Sequence, residues 1–299
     1  MWNLMKRKRS VRNRRARQCL FLILLALLAL LLIWPRTVHL EGLVSPYAIL
    51  VDADSGEAVA EKEADVSIYP ASMTKVMTAL LTLEANPDLE QPVTLPEDIF
   101  PELRAEGASM AGFRPGETAT VRDLLYGALL PSGAECCEAL AREVSGSEEA
   151  FVELMNRKAV ELGMRSTHFC NPTGLHDPEH VSTVRDMARL TEAALQNETF
   201  RKLFTTERYT VPATNCHPQG FTMHSTLLSQ LDGTELHRGR ILGGKTGYTG
   251  EAGLCLASLA EVKGREYILV TAGAGGNHST APYHIEDAVT VYRRVSRGA

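Results

Sequence analysis

The chain has 299 residues, 44% of them hydrophobic and 22% charged, which is enough apolar material for one large globular domain or two small ones. Its formal net charge is −5, but eight of its Lys and Arg residues fall within residues 1–18, so residues 19–299 carry −13. A body that acidic argues against nucleic acid as a partner.

Residues 1–18 hold Lys6, Arg7, Lys8, Arg9, Arg12, Arg14, Arg15 and Arg17 and no acidic residue. An uninterrupted apolar run follows from Cys19 to Trp34 and stops at Pro35. A basic flank ahead of an apolar run is a signal peptide or a membrane anchor. The run is slightly shorter than the roughly 20 residues a spanning helix needs, though Trp34 suits the membrane interface. No A-x-A-like cleavage site follows, so an uncleaved anchor is expected. The positive-inside rule then keeps the N-terminus in the cytoplasm and puts residues 36 onward outside. The expected organisation is a basic cytoplasmic tail (1–18), a membrane anchor or signal segment (19–34), a linker (35–45) and one folded domain (46–299).

Within that domain, Tyr47, Ile49 and Val51 alternate as in a strand, turn chemistry follows at Asp52-Ala53-Asp54-Ser55-Gly56, and Ala58-Val59-Ala60 returns. Pro70 and Ala71 lead into a helix whose first turn contains Ser72 and which continues through Leu83. Residues 84–118, rich in Pro, Gly and Glu, suggest loops with short strands. Thr120 and Asp123 form a capping-box pair ahead of the apolar face Val121, Leu124, Leu125, Ala128 and Leu129. Pro131 ends that helix, and a short one over about 135–144 leaves Ser132-Gly133-Ala134 in the turn between them. Ser147 opens another helix, closed by Gly163. Thr183 and Asp186 cap a helix to about Leu195, and residues 198–243 carry no clear pattern. Leu254–Ala260 and Tyr267–Ala272 read as two buried strands, and a last helix covers about 282–295. Strands at both chain ends with helices between predict an α+β fold: one antiparallel sheet built from both ends, a central helical lobe, and a site at their boundary.

Besides Cys19 in the apolar run, the cysteines are Cys136, Cys137, Cys170, Cys216 and Cys255. They show no C-x-x-C spacing, and adjacent cysteines such as Cys136 and Cys137 rarely bridge. All five are expected to pack as small apolar residues. His176 and His180 flank Asp177 and Glu179, but no third ligand is placed, so no metal is assigned.

Three short motifs stand in order. Ser72-Met73-Thr74-Lys75 opens a helix, Ser132-Gly133-Ala134 sits in a helix–helix turn, and Lys245-Thr246-Gly247 precedes the buried strands. Alone, a Ser-x-x-Lys pair is far more often a capping serine and a solvated lysine, because both residues are common. The ordered set S-x-x-K, S-D-N and K-T-G, however, is the signature of class A β-lactamases and penicillin-binding proteins. The chemistry accounts for the residue types. Ser72 can attack a carbonyl, and Lys75 can accept its proton if burial and the second cation at Lys245 hold it neutral. Ser132 can relay a proton to the leaving amine, and Lys245 and Thr246 can bind a terminal carboxylate. Gly247 lets a substrate backbone lie against the strand. The backbone N–H groups of Ser72 and Tyr248 can form an oxyanion hole.

From about Tyr47 to Tyr292 the chain resembles the serine-type D-alanyl-D-alanine carboxypeptidases, the low-molecular-mass penicillin-binding proteins of peptidase family S11. The resemblance is carried by Pro70-Ala71-Ser72-Met73-Thr74-Lys75-Val76-Met77-Thr78-Ala79, by Leu129-Leu130-Pro131-Ser132-Gly133, by 162–169 and Asn171-Pro172-Thr173-Gly174-Leu175, and by Lys245-Thr246-Gly247-Tyr248-Thr249 with Ala252-Gly253. It implies a β-lactamase/transpeptidase-like fold on the outer side of a bacterial cell membrane. It also implies acylation of Ser72 by peptidoglycan stem peptides ending in D-Ala-D-Ala, β-lactams as inhibitors acylating the same serine, and no metal or organic cofactor. One departure is Ala134, where the family usually has Asn; loss of that amide implies weaker substrate positioning or altered β-lactam sensitivity. A second is length, since many relatives carry an extra β domain and a C-terminal amphipathic helix. The alternatives are a D,D-endopeptidase, a β-lactamase and a catalytically weak wall-sensing module. The E-x-x-L-N segment of a class A β-lactamase is missing between Ser132 and Lys245.

Overall fold

Strands from early and late in the folded unit meet in one sheet. The computed structural model describes residues 38–85, 88–231, 236–277 and 279–298, and Val38–Ala299 forms a single unit. Strands β1 (Tyr47–Asp52) and β2 (Ala58–Lys62) form a hairpin, and β7 (Gly239–Thr249), β8 (Gly253–Val262) and β9 (Arg265–Ala274) form a meander. They join as an antiparallel sheet in the order β2-β1-β9-β8-β7, with Ile49 opposite Val270. The fold is thus the α+β arrangement expected from the placement of strands at both ends.

The sheet is buried on both faces, and the period of two sorts its side chains. Ile49, Val51, Cys255, Ala257, Leu259, Ile268 and Val270 face the larger core, shared with the helical lobe. Leu50, Leu256, Ala260 and Leu269 face a smaller core beneath helix α8 (Tyr283–Arg297), which contributes Ile285, Ala288, Val289 and Tyr292. Two-sided burial explains why β8 and β9 read as nearly continuous apolar runs rather than alternating ones.

The helical lobe surrounds α1 (Lys75–Glu84), which follows a 3-10 turn at Ala71–Thr74. Nine of the ten α1 residues are buried, because α1 packs among α3 (Val121–Leu129), α4 (Ala134–Ser145), α5 (Glu148–Glu161), α6 (Val184–Leu195) and α7 (Glu198–Phe204). A helix enclosed on all sides needs apolar or internally bonded residues all round. Its threonines comply, with Thr78 donating to Pro172 O and Thr82 to Thr78 O. The capping box at Thr120 and Asp123 forms as the spacing requires, and Thr183 Oγ1 accepts from Asp186 N at 3.0 Å.

Three stretches differ from expectation. The described part of residues 84–118 contains helix α2 (Ile99–Ala105), set between strands β3 (Pro92–Thr94) and β4 (Thr118–Thr120), which pair as a small antiparallel sheet. Pro101 masked that helix, but proline is tolerated in a first turn, where no intrahelical N–H bond is lost. The described residues of 198–243 include α7, the antiparallel pair β5 (Arg208–Val211) and β6 (Phe221–His224), and the start of β7. Finally, the described part of the expected linker is packed, not free. Val38, Leu40 and Leu43 enter the smaller core, and the Asp287 carboxylate accepts from Val44 N at 3.0 Å and Ser45 N at 2.7 Å. The expected tail and membrane segment, residues 1–34, lie outside the described residues. Among the described residues no helix is long and apolar enough to cross a membrane.

Candidate active site

Ser72 lies in the 3-10 turn, not in an α-helical turn, and α1 begins at Lys75. In a 3-10 turn residues three apart eclipse one another. The two side chains therefore meet directly, and Lys75 Nζ donates to Ser72 Oγ at 2.8 Å. Ala71, just before the serine, has φ +47°, an uncommon conformation for a residue with a Cβ.

Lys75 is 2% exposed and also donates to Thr173 O at 2.6 Å. That carbonyl is held by a side-chain-closed turn: Asn171 Oδ1 accepts from Thr173 N, Thr173 Oγ1 and Gly174 N at 3.2, 2.9 and 2.7 Å. Gly174 has φ +80°, and a Cβ there would lie 1.9 Å from Ala71 O and 3.0 Å from Ser72 N. The Asn171–Gly174 turn and the Ser72 turn are therefore in backbone contact.

The second motif occupies the turn between α3 and α4. Ser132 has φ +71° and is 5% exposed. Its neighbours are fixed by backbone bonds, Gly133 N to Gly127 O and Ala134 N to Ser109 O, both 2.8 Å. A strained serine held this firmly points to a functional constraint.

The third motif lies within β7, the edge strand, just ahead of the two buried strands β8 and β9. Lys245 is fully buried and donates to Ser132 Oγ at 2.8 Å and to Thr246 O at 2.7 Å. Thr246 Oγ1 is 2.6 Å from Thr226 Oγ1. Gly247 differs from expectation in its reason. The space its Cβ would need is filled by the Ser72 turn, with Ala71 Cβ and Ser72 N both at 3.1 Å. The glycine lets the turn, rather than a substrate, approach the strand.

Burial lowers the pKa of both lysines, and for Lys245 the nearby Lys75 lowers it further. Two buried amines, each bonded to a serine hydroxyl, are poised to exchange protons with those hydroxyls.

Two contiguous cavities meet at Ser72. One, of about 160 Å³, is lined by Ser72, Ser132, Thr246, Gly247 and Tyr248. The other, of about 450 Å³, is lined by Ser72, Lys75, Ala134, Thr173 and again Tyr248. All seven residues singled out from sequence thus converge. Ala134 faces the cleft where the family's Asn is expected. Glu135 turns away, its Oε1 accepting from Ala111 N at 2.7 Å and Gly112 N at 3.0 Å. Glu135 therefore does not replace the missing amide. Burial pushes its carboxyl up to about 7.

Three residues of the site were not singled out from sequence. Asn171 and Thr173 stand in a segment whose N-P-T-G turn chemistry was evident but whose destination was not. Thr226 belongs to the stretch without a readable period. His180 is structural. Its Nδ1 accepts from Cys170 N at 3.1 Å, so its Nε2 carries the proton and donates to Thr74 Oγ1 at 2.9 Å. Burial lowers its pKa to about 4. The five described cysteines are unpaired; Cys136, Cys137 and Cys255 are buried as expected, while Cys170 and Cys216 are half-buried.

A serine–lysine centre between an antiparallel sheet and a helical lobe defines the class, a protein of the penicillin-binding fold. Residues 36–276 match the family model Peptidase_S11, described as D-alanyl-D-alanine carboxypeptidase, and the chain belongs to that family. It is 36% identical over 230 residues to D-alanyl-D-alanine carboxypeptidase DacF of Bacillus subtilis, a match covering 76% of this chain and 57% of that protein. The chain therefore spans little more than half of that relative's length. It is 30% identical to D-alanyl-D-alanine endopeptidase of Pseudomonas aeruginosa, covering 86% of this chain and 79% of that protein. The crystal structure of the Streptomyces K15 DD-transpeptidase superposes with a TM-score of 0.77 at 28% identity, covering 85% of this chain and 97% of that one.

Proposed function

We propose that this protein is a serine D,D-carboxypeptidase that removes the terminal D-Ala from peptidoglycan stem peptides ending in D-Ala-D-Ala. The observation that carries this reading is the 2.8 Å contact between the buried Lys75 Nζ and Ser72 Oγ. Neutral Lys75 takes the Ser72 proton as Oγ attacks the penultimate D-Ala carbonyl. The N–H groups of Ser72 and Tyr248 stabilise the oxyanion, each such donor typically contributing about 3 kcal/mol. Lys245 and Thr246 hold the terminal carboxylate, and Ser132, bonded to Lys245, passes the proton to the departing amine. The Ser72 ester is then hydrolysed by water. β-Lactams acylate Ser72 by the same first step.

Family membership, the fold and the name of the Bacillus relative support this reading. The name of the Pseudomonas relative favours a second one on the same site, cleavage of a cross-linked peptide by a D,D-endopeptidase. The basic-then-apolar N-terminus supports a single-pass anchor in a bacterial membrane, with the N-terminus cytoplasmic and the catalytic domain outside.

The test is release of D-Ala from Nα,Nε-diacetyl-Lys-D-Ala-D-Ala by the purified protein beside a Ser72→Ala control. Release that disappears in the control supports the carboxypeptidase. Penicillin labelling of Ser72 without release, together with cleavage of a cross-linked dimer, favours the endopeptidase.

A further inference from the structure

Lys245 is fully buried, and it is not among the residues that line the cavity of about 160 Å³ at Ser72. Its bonds to Ser132 Oγ at 2.8 Å and to Thr246 O at 2.7 Å use both N–H groups of a neutral amine. Burial and the nearby Lys75 drive the amine toward that neutral form. Among the described residues lining the cavity there is no Lys or Arg. A terminal carboxylate that enters it therefore meets hydroxyl groups before it meets a cation.

Two of those hydroxyls face each other. Thr226 and Thr246 both line the cavity, and their Oγ1 atoms are 2.6 Å apart. Thr246 belongs to the third motif, whereas Thr226 belongs to none. Thr226 stands between β6 and a 3-10 turn at Leu228–Gln230, and its backbone is held on both sides. Its N–H donates to Leu130 O at 3.1 Å, where the chain enters the Ser132 turn, and its carbonyl accepts from Gln230 Nε2 at 2.6 Å. Thr226 thus links the turn that carries Ser132 to the strand that carries Thr246.

A hydroxyl has one proton to donate. Within the pair one O–H is spent on the other oxygen, which leaves one O–H to direct into the cavity. Donors arranged in a chain polarise one another, so the outward O–H is a stronger donor than a lone threonine would offer. We propose that Thr226 is a further substrate-binding residue, which together with Thr246 receives the terminal carboxylate of the peptide as a two-hydroxyl donor chain. The inference rests on the carboxypeptidase reading, in which that carboxylate lies at Thr246. Lys245 then acts from behind the pair, fixing Thr246 through its carbonyl and Ser132 through its hydroxyl. An ionised acceptor takes a stronger hydrogen bond than a neutral one, so the chain favours a free acid end over an amidated end.

The experiment uses the full-length protein and two peptides that differ only at the C-terminus, Nα,Nε-diacetyl-Lys-D-Ala-D-Ala and its C-terminal amide. Loss of the last residue is followed by chromatography. The unaltered protein is expected to cleave the free acid with a kcat/KM about tenfold or more above that of the amide. Thr226→Val keeps the shape and removes the hydroxyl, and it is expected to cut that preference by about tenfold, through KM rather than kcat. Thr226→Ser keeps the hydroxyl and is expected to keep the preference. Thermal unfolding reports whether each variant is folded, and Thr226→Ala carries the same expectation as the valine should the valine variant not fold. Equal kcat/KM for the two peptides in the unaltered protein would overturn the inference and leave the carboxypeptidase reading standing. So would a preference unchanged by removal of the hydroxyl, including an equal loss on both peptides, which would assign Thr226 to the shape of the cleft. A serine variant that loses the preference as the valine does would overturn the inference too. Cleavage of neither peptide by the unaltered protein would overturn the carboxypeptidase reading and the inference with it.

Discussion

Lys245 Nζ donates to Ser132 Oγ at 2.8 Å across 113 residues of chain, joining the edge strand of the sheet to the turn between two helices of the lobe. The contact repeats the chemistry of Lys75 with Ser72, so the cleft holds two serine–lysine pairs rather than one. Among the described residues neither lysine has a carboxylate within ion-pair distance. Burial without a counter-charge is what drives both amines toward neutrality.

Lys75→Arg should abolish acylation while keeping the positive charge. A guanidinium cannot be deprotonated in a protein and so cannot accept the Ser72 proton. The rate of penicillin acylation, followed by mass spectrometry, should fall by about a thousandfold or more. In the unaltered protein the same rate should climb with pH as Lys75 loses its proton, with its midpoint below the usual lysine value of 10.5 because burial lowers that pKa. An acid limb centred at 10.5 would show that burial does not lower the pKa of the base.

Ala134→Asn should restore the amide that the family usually carries at the cleft wall. Ala134 lines the same cavity as Ser72 and Lys75, and Glu135 is occupied with the backbone of Ala111 and Gly112. One added hydrogen bond to the substrate carbonyl is expected to raise kcat/KM for D-Ala release by roughly tenfold. Unchanged acylation and unchanged turnover would show that the alanine costs the site nothing.

Glu135→Gln should stabilise the protein at alkaline pH. The carboxyl is buried, with Oε2 lacking a partner, and its folded pKa is raised from 4.5 to about 7. Above its unfolded pKa the folded state binds more protons than the unfolded one, so stability falls as pH rises from 4.5 to about 7. Glutamine retains an acceptor for Ala111 N and Gly112 N without the charge. Its Tm should exceed that of the unaltered protein at pH 8, with the advantage disappearing by pH 4 to 5; calorimetry across that range measures it.

Gly174→Ala should destabilise the fold and slow acylation together. The new Cβ would meet Ala71 O at 1.9 Å, and φ +80° disfavours any L side chain. Backbone on both sides leaves no flexible group to yield. Tm should drop by roughly 5–10 °C, and the surviving folded protein should label more slowly with penicillin because the displaced atoms adjoin Ser72 N. A variant with normal Tm and labelling would mean that the two turns separate freely.

Much of the fold is legible in local sequence patterns. Alternation over Tyr47–Val51 marks a strand, Thr120 with Asp123 marks a helix start, and two apolar runs near the C-terminus mark buried strands. These signals are local, because backbone hydrogen bonding and side-chain period act over a few residues. The short α2 is hidden by Pro101, and the antiparallel pair of β5 and β6 lies in a stretch where exposed strands carry too little apolar periodicity to register. Residues 38–45 suggest a linker because their burial depends on α8, far along the chain, and not on any pattern of their own.

By itself the sequence determined the residue types of the site and their order: a serine three residues before a lysine, a second serine at a helix–helix turn, and a lysine with threonine and glycine near the strands. It also determined that both chain ends would form strands. Only the tertiary structure decided that Lys75 would rest on the Thr173 carbonyl, that Lys245 would reach Ser132, that Gly247 would make room for the Ser72 turn, and that Glu135 would turn to the backbone of Ala111 and Gly112. Those are contacts between segments distant in sequence. Their existence depends on how the sheet and the lobe pack, and packing is a property of the whole core that no local spacing encodes.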